Sequence, residues 1–332
     1  MDLTDRSEAS QKSYRSYMSE AREFIESELV RLLPVESQKL HAQIKYAILS
    51  PGKRLRPSLV VLSAESVGGE RRDVINLAIA IELMHTASLV HDDILDKDLM
   101  RRNSPTVQAK WSVNDAILVG DALFSLALSL TADYGGEILR TLANAGTALC
   151  EGEYLDTAQF CPISEDVYLD RISKKCASLF KAAAQVGAMA GGGTRKEVES
   201  LAEFGECFGM AFQINDDLSD LNSTNLDSSS DLWQGRMTLP IIHLYHSSTE
   251  CDKRQLLENL RLLAENAVDT KAAADDILNR INQEGSIKYC WAKIGHYVCR
   301  AVSSLAPLKS VHRLYLEQLA ESLMAGGHLQ SV

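Results

Sequence analysis

The chain has 332 residues, is 45% hydrophobic but only 6% aromatic, and carries a formal net charge of −11. That length is compatible with a single large helical domain, and only seven prolines leave long stretches free to form helix. The acidic balance argues against nonspecific nucleic-acid binding, which needs a basic surface.

The N-terminal stretch MDLTDRSEASQKS is polar and lacks the apolar core of a signal peptide. No run of 18 apolar residues marks a membrane span, so the expected location is the cytoplasm. Residues 10–33 alternate apolar and charged positions at helical spacing and stop at Pro34; 35–49 repeat the pattern and stop at Ser50-Pro51-Gly52. GKRLRP, residues 52–57, reads as a short basic loop. Residues 72–96 form a long helix that is apolar nearly all round, which predicts burial on most sides. Asn103-Ser104-Pro105 breaks the chain. Helices are expected at 113–134 and 137–160, joined at Gly135-Gly136, at 164–189, closed by three glycines, and at 195–221. Residues 222–235, NSTNLDSSSDLWQG, are polar and read as a loop; helical patterns resume at 237. The seven cysteines (150, 161, 176, 207, 251, 290 and 299) are dispersed and form no CxxC pair, as expected of reduced thiols. No linker or repeat interrupts the chain, so one all-α domain over 1–332 is expected.

Two acidic clusters stand out: HDDILD at 91–96 and NDDLSD at 215–220. In each, two aspartates four residues apart share one helix face: Asp92 with Asp96, and Asp216 with Asp220. A solvated face is the ordinary explanation of such a cluster. Here both clusters end long apolar helices, and like-charged carboxylates gathered there need a cation. Oxygen-only ligands suit Mg²⁺ when substrate phosphates complete its shell. GKRLRP and Arg101-Arg102 supply basic groups close to the first cluster in sequence, an anion pocket in an acidic chain. His85 lies seven residues, two turns, before Asp92; a lone histidine in an apolar helix is more often a satisfied core residue.

GKRLRP (52–57), LMHTASLVHDDILD (83–96), RR (101–102), GDALF (120–124), EGE (151–153), KCASLF (175–180), FQINDDLSD (212–220) and GRMTLP (235–240) occur in order and at familiar spacing. In these motifs the chain resembles the trans-isoprenyl diphosphate synthases, or polyprenyl synthetases, from about residue 40 to 245. The resemblance implies an isoprenoid-synthase helical bundle around a deep central cavity. It implies a homodimer, with the helices at 113–158 as its surface. It also implies a reaction joining an allylic diphosphate to isopentenyl diphosphate, head to tail, and peripheral membrane contact only through the lipid product. By the same resemblance Asp92, Asp96, Asp216 and Asp220 hold Mg²⁺, three ions per site with Mn²⁺ able to substitute, and Asp93 and Asp217 neighbour them. Asp92, Asp93, Asp96, Arg101, Lys175 and Asp216 form the catalytic set. Arg101, Lys175, Gln213 and Arg236 line the allylic diphosphate site; Lys53, Arg56, His85 and Arg102 hold the diphosphate of isopentenyl diphosphate. No general base stands out, and in the family the released diphosphate takes the proton.

The chain departs from the family in three places. The loop after the second cluster lacks the family's Gly-Lys, with Leu226 near the aligned position; Arg236 replaces a lysine before Thr-Leu-Pro; and Cys176 stands where threonine is usual. These changes make one side of the allylic site less cationic and keep open the role of a weakly active subunit needing a partner. FQINDDLSD can also be cut as the Asn-Asp-x-x-Ser of a terpene cyclase. Asn215, Asp216 and Ser219 match that motif, but Ser223 stands where its glutamate belongs, and a cyclase has no use for a second diphosphate pocket. Product length should depend on Met84, Ala87 and Ser88, just before the first cluster. Ala87 and Ser88 are small, and a five-residue step is about 7.5 Å of helix. The expected product lies beyond C20, in the C25 to C50 range, with geranylgeranyl diphosphate the competing outcome. Ala87→Phe is expected to shorten it.

Overall fold

The computed structural model describes residues 3–32, 39–156, 162–221, 231–265 and 270–324. It is all-α apart from one two-stranded hairpin. In chain order the helices are α1 (Leu3–Leu32), α2 (Lys39–Ile48), α3 (Leu55–Ser66), α4 (Ile75–Leu95), α5 (Val107–Lys110), α6 (Val113–Thr131) and α7 (Gly136–Asp156). They continue as α8 (Glu165–Ile172), α9 (Ser178–Ala190), α10 (Arg195–Leu221), α11 (Leu239–Ser247), α12 (Glu250–Ala264), α13 (Thr270–Gln283), α14 (Ser286–Ser304) and α15 (His312–Glu321). Side chains cap several starts in the usual way: Ser112, Ser164 and Thr249 each accept from a backbone N–H three residues on.

α4 is the central rod. Leu77 to Ile81 form a continuous buried run, so the helix needs neighbours on most sides, and it packs against α6, α3 and α9. α9 also packs along α10, which in turn runs beside α14. α9 thus lies between the two acid-bearing helices and fixes where their C-terminal ends stand.

Three local features differ from the sequence reading. Leu55, Arg56 and Pro57 belong to the first turn of α3 rather than to a loop. Pro57 fits there because its missing N–H would have had no intrahelical acceptor. The expected helix at 164–189 is split by a π turn, Ser173–Ala177, the kind of widened turn common at functional sites. It is clamped by two glycines. A Cβ at Gly152 of α7 would lie 2.4 Å from the Lys175 nitrogen, and one at Gly209 of α10 would lie 2.6 Å from the Ala177 Cα. Finally, Met100–Arg101 pairs antiparallel with Ser104–Pro105. Arg102 and Asn103 between them both have positive φ, 50° and 62°, as a tight two-residue hairpin turn requires.

One helical stretch, Val113–Tyr134, is long and apolar enough to cross a membrane by length and composition alone. It packs on α4 and leaves Ile117, Leu118, Leu126 and Leu128 exposed.

Candidate active site

Both acid pairs stand at the C-terminal ends of their helices, Asp92 in the last turn of α4 with Asp96 as its C-cap, and Asp216 and Asp220 in the last two turns of α10. The helix dipole is negative there, so carboxylates are disfavoured unless cations stand close. Both pairs open onto one cavity of about 980 Å³, within the range of small-molecule sites.

Three cations from separate segments reach the acids. Arg101, from the hairpin, donates through Nε to Asp93 at 2.6 Å and through Nη2 to Asp92 at 3.4 Å. Lys175, from the π turn, places Nζ 3.2 Å from Asp92, 2.9 Å from Glu153 and 2.6 Å from Asp156. Arg236 lies 2.5 Å from Asp96, 3.6 Å from Asp156 and 3.4 Å from Asp231. Burial alone would lower the Lys175 pKa, yet Asp92, Asp156 and Glu153 raise it. Asp156 shows the counterpart: burial raises its pKa, but Lys175, Arg171 and Arg236 hold it below the usual range. Glu153 is shifted up, chiefly by burial and by Asp92.

Another part of the lining is basic. Lys53, Arg56, His85 and Arg102 form it. The Arg56 guanidinium lies over the Phe180 ring at 4.1 Å and 3.3 Å from His85 Nε2. Burial, with Arg56, Arg102, Arg101 and Arg54 around it, lowers the His85 pKa well below its ordinary value, so the ring is neutral near pH 7. Burial also lowers Lys53. Asp216 opens to the cavity solvent while protein surrounds it; this enclosure and Asp231 raise its pKa, and Lys53, Arg56 and Arg102 offset the rise.

Arg54 supports this wall from behind. It is buried, takes a left-handed conformation with φ 51° and precedes α3. It pairs with buried Glu82 at 2.5 Å and donates to the carbonyls of Ile48 and Ser50. The loop carrying Lys53 is thereby tied to α4. In the second cluster Asp217 is buried and accepts from Tyr168 Oη at 2.7 Å and Gln213 Nε2 at 2.9 Å. Asp220 accepts the backbone N–H of Asp231 at 2.7 Å, and burial pushes its pKa up to about 6.

Most of the residues expected from the sequence meet in this cavity: Asp92, Asp96, Asp216 and Asp220; Lys53, Arg56, His85, Arg101 and Arg102; Lys175, Gln213, Arg236 and Ser88. Asp93 does not line it. Asp93 is buried, with a pKa pushed up to about 6 by burial, and orients Arg101. Met84 and Ala87 are also buried outside the lining; Met84 points at Gly146 of α7. Leu226 and Ser223, the positions of the absent lysine and the absent cyclase glutamate, fall outside the described residues, as does most of the 222–235 loop.

The sequence reading missed Glu153, Asp156, Arg171, Asp231 and the Arg54–Glu82 pair. Glu153 and Asp156 carried a usable signal, since two acids three apart at the end of a helix repeat the logic of the main clusters. Asp231 carried none.

Among the described residues, no three acids or histidines converge into a complete metal shell. The all-carboxylate donors nonetheless suit Mg²⁺, which is commonly held by one or two carboxylates plus waters and phosphate oxygens.

The polyprenyl synthetase family model matches residues 37–278. A short chain isoprenyl diphosphate synthase of Methanothermobacter thermautotrophicus is 35% identical over 326 residues, 95% of this chain and 98% of that protein. A solved decaprenyl diphosphate synthase from Rhodobacter capsulatus superposes with a TM-score of 0.84 at 29% identity, covering 94% of this chain and 98% of that one. A polyprenyl synthase from Caulobacter crescentus CB15, solved with calcium and isoprenyl diphosphate, gives 0.84 at 28%, covering 94% and 97%.

Proposed function

The chain belongs to the polyprenyl synthetase family, and on that footing we propose that it condenses isopentenyl diphosphate with an allylic diphosphate, head to tail and trans. The observation that carries this reading is the joint opening of two acidic helix ends and a basic wall onto one cavity. Two diphosphates need two anion sites, and the cavity offers a distinct cationic group for each. Arg101, Lys175 and Arg236 stand among the acids and would grip the allylic diphosphate. Lys53, Arg56 and Arg102, with neutral His85 as a hydrogen-bonding partner, would grip isopentenyl diphosphate. Guanidinium groups suit both tasks because their forked donors match phosphate oxygens.

Asp92 and Asp96 on one side, and Asp216 and Asp220 on the other, would hold Mg²⁺, which when bound neutralises the charge that builds on a departing diphosphate. The chain's own residues orient the two substrates. Leu149, Leu179 and Phe212 give the cavity its apolar wall and shield the allylic carbon from water. Asp217, held by Tyr168 and Gln213, fixes the turn that carries Asp216. The product is taken to exceed C20, since small Ser88 lines the wall one turn before Asp92 and leaves space beside it.

Incorporation of labelled isopentenyl diphosphate tests the reading. Asp92→Asn and Asp216→Asn should each lower the rate by roughly 10²-fold or more, the scale of losing one transition-state charge stabiliser. Unchanged rates in both variants would contradict the assignment of the acids.

A further inference from the structure

We infer that Arg22 of α1 is a further binding residue for the diphosphate of isopentenyl diphosphate, set in place by a line of charges that runs Arg22–Glu26–Arg54–Glu82. The inference rests on the proposed use of the basic wall by that substrate. α1 carries none of the sequence motifs and is placed by packing. Tyr14, Tyr17, Met18, Ala21, Ile25 and Leu29 are buried and recur at helical spacing, which fixes one face of the helix. Tyr17 Oη also donates to Glu65 of α3. Arg22 and Glu26 each follow a buried residue and stand four apart, so they share one edge of that face. There Arg22 joins Pro51, Gly52, Lys53 and Arg56 in the lining of the large cavity.

Glu26 sets the direction of the side chain. Arg22 Nε donates to Glu26 Oε1 at 3.2 Å. The same oxygen lies 3.9 Å from Arg54 Nε, and Arg54 Nη1 pairs with buried Glu82 of α4 at 2.5 Å. The line thus begins at a buried carboxylate on the central helix and ends at a guanidinium that is 41% exposed. Along it each arginine faces a glutamate, so Glu26 offsets the repulsion that a further cation beside Lys53 would bring. Among the described residues no acceptor engages the Arg22 Nη groups, and its Nε alone is taken. Those two nitrogens present the forked donors that match diphosphate oxygens.

The experiment is steady-state kinetics of the purified full chain with Mg²⁺ and a saturating allylic primer, isopentenyl diphosphate being varied. It compares the wild type with Arg22→Met, Arg22→Lys and Glu26→Gln, each checked for native thermal unfolding. Arg22→Met should raise the KM for isopentenyl diphosphate about tenfold, the scale of one charge-assisted hydrogen bond, with kcat and the KM for the primer far less affected, the pattern of lost ground-state binding. Arg22→Lys should recover part of the loss, and Glu26→Gln should show a smaller rise. Calorimetric titration of the same proteins with isopentenyl diphosphate reads the loss as a Kd, independent of turnover. A KM and Kd unchanged in Arg22→Met would overturn the inference and leave the proposed reaction standing. A fall in thermal stability with kcat and both KM values moving together would overturn it in favour of a purely structural role for α1. A wild type that neither binds nor incorporates isopentenyl diphosphate would overturn both the inference and the proposed function.

Discussion

At the scale of single residues the site is a problem in placing charge, and His85 makes its cost measurable. Arg54, Arg56, Arg101 and Arg102 surround it, and together with burial they lower its pKa well below the ordinary 6.5. The sign follows from proton counting. Below pH 6.5 the unfolded chain protonates this histidine and the folded chain does not, so the unfolded state binds more protons and stability falls with pH. The His85 contribution to stability should therefore shrink as the pH is taken from 7.5 to 5.5. Groups such as Asp93 and Asp220, shifted up to about 6, act in the opposite sense. The contribution is therefore read as the difference between wild type and His85→Gln in urea unfolding at the two pH values. Equal pH dependence in the two proteins would show that folding does not lower the His85 pKa.

At the scale of elements, helix ends, one hairpin, the loop before α3 and one widened turn place the charges. The limits of α10, residues 195–221, were legible in the sequence because glycines precede it and a polar run follows. α3 was not legible. Its residues are buried nearly all round, so no polar face gave it periodicity, and its first turn lies within the stretch 52–57 that reads as a basic loop. The π turn at Ser173–Ala177 was also invisible, because the packing of Gly152 and Gly209 imposes it rather than any local residue preference. Gly152→Ala places a methyl group against the Lys175 backbone. It should cost roughly 1–3 kcal/mol of stability, the usual range for overpacking, and should lower activity because Lys175 moves with the turn. Urea unfolding and a rate assay on one preparation test both effects. In the same way the small residues before Asp92 were visible in the sequence, but only the structure separates Ser88, which lines the cavity, from Ala87, which does not. Ser88→Phe is therefore the substitution expected to shorten the product. Chromatography of the chains made by the variant and the wild type decides it.

At the scale of the whole molecule, the all-α class and the pairing of two acidic clusters could be read from the sequence, because motif order and helical periodicity span most of the chain. The meeting of Asp231 with Asp156, Arg171 and Arg236 could not, because Asp231 comes from a polar loop far along the chain with no pattern to mark it. The outer face of α6 bears on assembly. Leu118 is 58% exposed, Leu128 50%, and Tyr154 on α7 80%, an apolar surface of the kind that marks an interaction site. The resemblance-based expectation of a homodimer with α6 in its surface makes these residues the ones to test. Leu118→Glu combined with Leu128→Glu should shift the protein to monomer in sedimentation, while the same pair of changes leaving a dimer would place the interface elsewhere.

The central claim is that this chain alone extends an allylic diphosphate with isopentenyl units. The direct measurement is product analysis of the purified protein with Mg²⁺, labelled isopentenyl diphosphate and each allylic primer in turn. The account predicts labelled polyprenyl diphosphates forming a ladder that runs past C20; a stop at C20 would contradict the product length, and release of unlabelled hydrocarbon or no turnover of any primer would contradict the reaction itself.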